Sequence, residues 1–371
     1  MPLRSGEGGF FNMRNFTLVS WGIKSVIVLF WVLFFIGILY VPLKFNFFSE
    51  RTLNVATWTD LIDPRILEKF YKKTGIKVYL SYFEDNYELV QKLKSTDGQG
   101  YDLVIPSDFA VQKLIDYNLL KPLDIRKFAH WERINPALKN TYADEGNMYS
   151  IPYYWAIYGL GIDSEFFPEN VESSWRLIFE QLSSFSKVGV IGSARETVLM
   201  AAQYLFGTID SLTCQQLYQL RSLLIKQKEW VEAYTEFRAD SLLLSKTSPV
   251  VVITTPQILR LLKICAQVRF LMPVEGAFQV IDSWVIPKQS TKEALVYELL
   301  NFLYQEEIMA HHFHKYTFFP ATIDLFKLLD KSVAGRSLLA VHAQKKIPVD
   351  FFRNVIDEQV LNTMWVEIKS S

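Results

Sequence analysis

A chain of 371 residues is too long for one small core, and at roughly 100 to 200 residues per domain it calls for two. Lys plus Arg and Asp plus Glu each number 39, so no net field favours nucleic acid or another polyelectrolyte, and charge selectivity has to be local. Cys214 and Cys265, the only cysteines, have neither a CxxC spacing nor a histidine at finger spacing; this excludes a zinc or multi-disulfide scaffold and leaves room for a single disulfide.

In chain order, Ser25 to Leu43 is an uncharged apolar run close to the ~20 residues that a helix needs to cross a bilayer. Arg4, Arg14 and Lys24 precede it, which predicts a cytoplasmic tail over 1–24 and the long remainder on the periplasmic or extracellular side of the inner membrane. The run is followed by Lys44-Phe45-Asn46-Phe47-Phe48 rather than a small-x-small site, and no cysteine is placed for lipidation, so an uncleaved anchor is expected. A start at Met13 would instead give a short basic segment ahead of the apolar run, as in a cleaved signal that frees the rest into the periplasm.

Leu53 to Trp58 is a short apolar strand. Asp63-Pro64 then starts a helix, with Asp as cap and Pro in the first turn, and Gly75 ends it. Ile76 to Tyr82 alternates like a strand, ELVQKLKS is helical, Tyr101 to Ile105 is a third strand, and a helix follows over about Phe109 to Tyr117. Alternation of this kind predicts a parallel sheet with helices on its faces. Tyr149 to Asp163 is a long extended segment able to pass from one lobe to the other. A second alternating block follows, with a helix near Trp175 to Leu182, a strand Val188 to Ile191, helices Glu196 to Phe206 and Cys214 to Lys226, a strand Val250 to Ile253 and a helix Gln257 to Ala266. The strand Gln279 to Pro287 precedes a helical run from Lys292 to His312, and Tyr316 to Pro320 interrupts the chain before a last helical region. The expected fold is α/β, two lobes joined by a strand hinge with the ligand cleft between them and one transmembrane helix in front. Lobe one is 51–156 with 283–319, and lobe two is 157–282 with 320–371.

No GxSxG, HExxH, GxxxxGK[ST] or GxGxxG occurs, so nothing places a nucleophile, a metal, a phosphate cradle or a cofactor, and a binding role rather than an enzyme is expected. His311-His312-Phe313-His314 reads as a helix end sooner than a metal patch, and Tyr153-Tyr154 as packing at an interlobe crossing sooner than a phenolate iron site. Polar residues do gather at the carboxyl ends of two predicted strands: Thr57-Trp58-Thr59-Asp60 and Pro106-Ser107-Asp108. Ligands of open parallel sheets sit outside those ends, which makes Trp58, Thr59, Asp60, Ser107, Asp108 and Phe109 candidates. The competing reading is that Asp60 and Asp108 cap helices.

The segments NVATWTDLIDPRILEKFYKKTGIKVYLSYFEDN, YDLVIPSDFAVQKL, YSIPYYWAIYGLGID, SARETVLMA and EGAFQVIDSWVIP together resemble the spermidine/putrescine-binding proteins of bacterial ABC importers, from Leu53 to about Tyr304 in the same order. The resemblance implies a type II periplasmic binding protein, a monomer that closes on a polyamine and presents it to a membrane permease with a cytoplasmic ATPase. It implies a cleft of aromatic side chains and carboxylates, with Trp58 as the aromatic after strand one, Asp60 the acid two positions on, Ser107 the turn serine, Glu196 a ligand-pairing glutamate and Asp282 the central ammonium anchor. Burying a multiply charged amine requires paired anions, and each cation-π contact adds about 0.5 to 2 kcal/mol. Ser193, Phe109, Thr254 and Val280 depart from the family's aspartate, tyrosine and two tryptophans. These losses leave open a different small cation or an amino acid as ligand, or a membrane-anchored sensor of the same fold.

Overall fold

The protein is described by a computed structural model covering residues 26, 28–36, 51–181, 187–235, 238–317, 319–322, 327, 329, 335–336 and 348–371. Residues 1–52 and 53–371 form separate compact units. In the first, residues 28–36 are helical. The remainder of the expected anchor, Ser25, Ile27 and 37–43, lies outside the described residues, and among those described no helix is long and apolar enough to cross a membrane.

The second unit is built on one mixed sheet. Its strands are β1 (Thr52–Thr57), β2 (Lys77–Tyr82), β3 (Leu103–Val104), β4 (Ser150–Asp163), β5 (Val188–Val190), β6 (Val231–Tyr234), β7 (Val250–Thr254), β8 (Val268–Leu271), β9 (Ala277–Val285) and β10 (Val349–Phe351). The spatial order is β2-β1-β3-β9-β4-β7-β5-β6, with β8 beside β4 and β10 beside β9. β1 runs parallel to β3, and β5 parallel to β6 and β7, whereas the long central strands β4 and β9 are antiparallel to each other. Two parallel groups therefore flank one antiparallel pair. Successive β7 residues alternate between the two faces, Val251 and Ile253 entering one core and Val250 and Val252 the other, as the period of a strand buried on both sides requires.

The helices are α1 (Pro64–Thr74), α2 (Asn86–Ser95), α3 (Asp108–Asp116), α4 (Arg176–Phe179), α5 (Ala194–Phe206), α6 (Cys214–Gln227), α7 (Ala239–Leu244), α8 (Thr255–Leu262), α9 (Glu293–Leu303), α10 (Glu306–Tyr316) and α11 (Glu358–Ser370). α1 begins as its sequence dictates: the Asp63 carboxylate accepts from Arg65 N–H, Pro64 fills the first turn, and Gly75 ends the helix at φ 71°. Gly159 is required by a close approach, since a Cβ there would lie 2.6 Å from the Leu271 carbonyl oxygen of β8.

Several expectations are corrected. The helical run from Lys292 is two helices, broken at Tyr304-Gln305, where the buried Tyr304 donates its hydroxyl to the Pro152 carbonyl at 2.6 Å. The helix expected over Trp175 to Leu182 is the single turn α4, and the one expected to reach Ala266 ends at Leu262. Both cysteines are free thiols, so the single disulfide is absent. Residues 321–347, where the last helical region was expected, lie mostly outside the described residues; beyond them β10 pairs with β9 and α11 packs on α5 and α6.

Candidate ligand cleft

Three chain segments converge where strands end and helices begin. β1 delivers Trp58, half-buried, with its ring 4.3 Å from Phe83. β3 leads through Pro106 and Ser107 into α3, which carries Phe109 and Lys113. β5 leads through Ser193 into α5, which carries Arg195 and Glu196 in its first turn. Between them lies an open cleft with a cavity volume of about 90 Å³, lined by Trp58, Asn86, Phe109 and Glu196 among others, and walled by Glu358 and Leu361 of α11.

Ser107 occupies the N-cap position of α3, yet its side chain caps nothing. Its hydroxyl donates instead to the Asp282 carboxylate of β9 at 2.6 Å and accepts from Asn86 Nδ2 at 3.0 Å, while Asn86 Oδ1 accepts from Ser107 N–H at 3.0 Å. Forgoing a cap costs about 1 kcal/mol, and here the hydroxyl is used to orient a carboxylate. Asp282, 6 % exposed, thus lies two hydrogen bonds behind the cleft wall at Asn86, through Ser107. Burial pushes it up to about 7, opposed by the Ser107 hydrogen bond. Neither Asp282 nor Glu196 has a cationic partner within ion-pair distance among the described residues. Glu196 is also buried, its Oε2 lacks any hydrogen-bond partner among the described residues, and burial pushes it up to about 7 against its own backbone N–H and the charge of Arg195.

Two cations share the cleft. The Arg195 guanidinium, 7 % exposed in its side chain, lies over the Phe109 ring at 5.1 Å, donates to the Arg353 carbonyl at 3.3 Å and comes within 4.0 Å of Glu358. Lys113 is ion-paired to Glu358. Burial, helped by Arg195, pushes the Lys113 ammonium down to about 8.

The cleft therefore gathers Trp58, Phe109 and Glu196, with Ser107 and Asp282 directly behind. Thr59 and Asp60 are exposed and do not line it; Asp60 has φ 59° and caps no helix, α1 being capped by Asp63. Asp108 turns toward a second, smaller pocket with Thr141, Asn147 and Ser150. Its Oδ1 accepts from Phe109 N–H at 2.8 Å, its Oδ2 is unpartnered among the described residues, and burial raises it well above the ordinary carboxylate range. Ser193 lines the cleft, Thr254 begins α8 in a capping box with Gln257, and Val280 is buried. Lys113, Arg195 and Glu358 were not singled out from the sequence; they meet only because α11 folds back over α3 and α5, which no local pattern announces.

In the histidine run, His311 and His312 are held by contacts within the fold. His312 is fully buried, accepts from the Asp63 N–H at 3.2 Å, and faces the Tyr153 hydroxyl at 3.2 Å. Tyr153 packs on Trp284 and Tyr304 in the core. Among the described residues no three His, Cys, Asp or Glu side chains are grouped to hold a metal.

Residues 65–333 match the bacterial extracellular solute-binding protein family. The chain belongs to this family. It is 31 % identical over 281 residues to a putrescine-binding periplasmic protein of Pseudomonas aeruginosa, covering 71 % of this chain and 76 % of that one. To a spermidine/putrescine-binding periplasmic protein of Salmonella typhimurium it is 25 % identical over 80 % of this chain and 85 % of the relative. The fold is that of solved binding proteins. A spermidine/putrescine ABC transporter protein from Listeria monocytogenes superposes with TM-score 0.77 at 24 % identity, covering 86 % of this chain and 99 % of that one. One from Streptococcus pneumoniae superposes with TM-score 0.72 at 23 % identity, with the same coverage.

Proposed function

We propose that this member of the solute-binding family captures a small polyamine of the putrescine or spermidine class in the cleft and presents it to an ABC permease with a cytoplasmic ATPase. The observation that carries the reading is a pair of buried carboxylates that lack a cationic partner among the described residues, Glu196 on the wall of the cleft that Trp58 and Phe109 also line, and Asp282 behind that wall. A buried anion without a counter-ion is costly, and a ligand carrying ammonium groups on a methylene chain supplies the counter-ions to the acids and apolar surface to the rings. The names of the relatives, putrescine- and spermidine-binding periplasmic proteins, support the same ligand class. Trp58, Phe109, Glu196, Ser107 and Asp282 form the binding set in this reading, and Thr59, Asp60 and Asp108 act only if they approach on closure.

Two lobes belong to the same proposal. The two parallel strand groups on either side of β4 and β9 support a hinge through those strands, about which the lobes close on ligand. Ser25 to Leu43 would hold the binding unit at the outer face of the inner membrane, supported by its apolar composition. Calorimetric titration of the full chain with putrescine, spermidine and a panel of amino acids tests the function. Micromolar or tighter binding of an amine is expected; binding of amino acids alone would overturn the reading.

A further inference from the structure

Five acids stand at the cleft: the exposed Glu84 and Asp85 at its mouth, Glu196 and Glu358 on its wall, and the buried Asp282 behind it, reached through Asn86 and Ser107. Among the described residues only Glu358 of these has a cation of its own, because Lys113 reaches across from α3 to pair with it. Both partners are largely withdrawn from water, 15 % and 28 % exposed in their side chains, so this is a cation held inside a binding cleft rather than a surface bridge, where pairs contribute little. The same segment ties α3 from a second point, Asn354 Nδ2 donating to the Phe109 carbonyl and to Gln112 Oε1, each at 2.9 Å. Arg195 is committed elsewhere, on Phe109 and the Arg353 carbonyl, and approaches Glu358 only to 4.0 Å.

We infer that Lys113 is a built-in third ammonium: it occupies at Glu358 the position that the extra charge of a triamine would take, and so sets the cleft to accept diamines. The inference rests on the amine reading of the cleft. The two buried acids, Glu196 and Asp282, remain without an internal cation among the described residues, which matches two ligand charges, while Glu84 and Asp85 are exposed to water. A third ligand charge would meet Lys113 and Arg195 at short range in a partly dehydrated site, where like charges repel strongly. Discrimination comes from this repulsive element rather than from an added contact. The burial that drives the Lys113 ammonium down to about 8 is consistent with a cation held there at some cost.

The test is titration of the full chain and of Lys113→Met, Lys113→Arg and the double variant Lys113→Met/Glu358→Gln with 1,4-diaminobutane and with spermidine, thermal melts confirming that each is folded. The wild-type chain is expected to prefer the diamine. Lys113→Met should shift the triamine-to-diamine affinity ratio at least about tenfold toward the triamine, through the freed Glu358. Lys113→Arg should keep the wild-type ratio, and the double variant should cancel the gain. An unchanged ratio in a folded Lys113→Met that still binds amines would overturn this assignment while leaving the amine reading intact. Failure of every variant, wild type included, to bind either amine would overturn both.

Discussion

Asp63 and Asp282 are both buried, 1 % and 6 % exposed, and their surroundings are opposite. Asp63, at the start of α1, receives Arg65, His311 and Lys315 at 2.9, 2.8 and 2.9 Å, and its backbone N–H is taken by His312. Burial alone would raise it, but hydrogen bonds from Arg65, His311 and Lys315 outweigh burial and hold it far below the ordinary carboxylate range. Asp282 has a serine hydroxyl, and burial wins. An acid whose counter-ions come from its own chain fastens two elements together, here α1 to α10. An acid left without them is, in the function proposed above, a site for a cation that the chain does not supply.

The comparison can be broken at either acid. The largest effect is expected from Asp282→Asn, which should weaken amine binding by roughly 100-fold or more while leaving the fold intact; calorimetry reads it, and unchanged affinity would remove Asp282 from the site. Asp63→Ala should instead leave amine affinity alone and destabilise the chain by about 2 to 3 kcal/mol, part of the ion-pair energy being lost to water because Arg65 is exposed and His311 and Lys315 are partly so. A denaturant titration at pH 7 measures that.

A smaller effect sharpens the contrast through pH. The depressed Asp63 contributes stability that is present above its unfolded value near 3.8 and is lost as pH falls below it. The raised Glu196 and Asp282 act the other way. Between about 4 and about 7 the folded, ligand-free chain holds more protons than the unfolded one, so their contribution falls as pH rises through that window. Glu196→Gln should therefore stabilise the ligand-free chain at pH 8 by about 1 to 2 kcal/mol and flatten the acid-to-neutral slope of its melting temperature. No gain in stability would mean that the acid is already neutralised. Smallest of all, Trp58→Leu should cost roughly 3- to 30-fold in amine affinity, the worth of one cation-π contact, without changing the melting profile against pH.

Much of this was legible from residues. Asp63-Pro64 and Gly75 marked α1 at both ends, the alternating strands and helices gave the α/β class, and the carboxyl-end positions of Trp58 and Ser107 lead to the cleft. The short elements β6, α7, β8 and β10 were not legible: VEAY, ADSLLL, VRFL and VDF are too brief for a period to rise above noise, and pairing with neighbours defines them. The break at Tyr304-Gln305 carries no Gly or Pro and is made by a tertiary hydrogen bond. In the site, Ser107 read as a ligand contact, and only its distance to Asp282 shows that its hydroxyl orients a carboxylate. Lys113 and Glu358 are single charges on helices far apart in the chain, each unremarkable until α11 is folded over α3.

The central claim is that the two uncompensated acids take the ligand's ammonium groups. Titration of the full chain with putrescine at pH 7, in buffers of different ionisation enthalpy, tests it most directly, because acids held near 7 must shed protons when a cation arrives. The account predicts release of about one proton in all at pH 7, declining toward none at pH 9, and about half that release in Glu196→Gln at putrescine concentrations that saturate it. Amine binding without proton release, or with the full release in saturated Glu196→Gln, would contradict it.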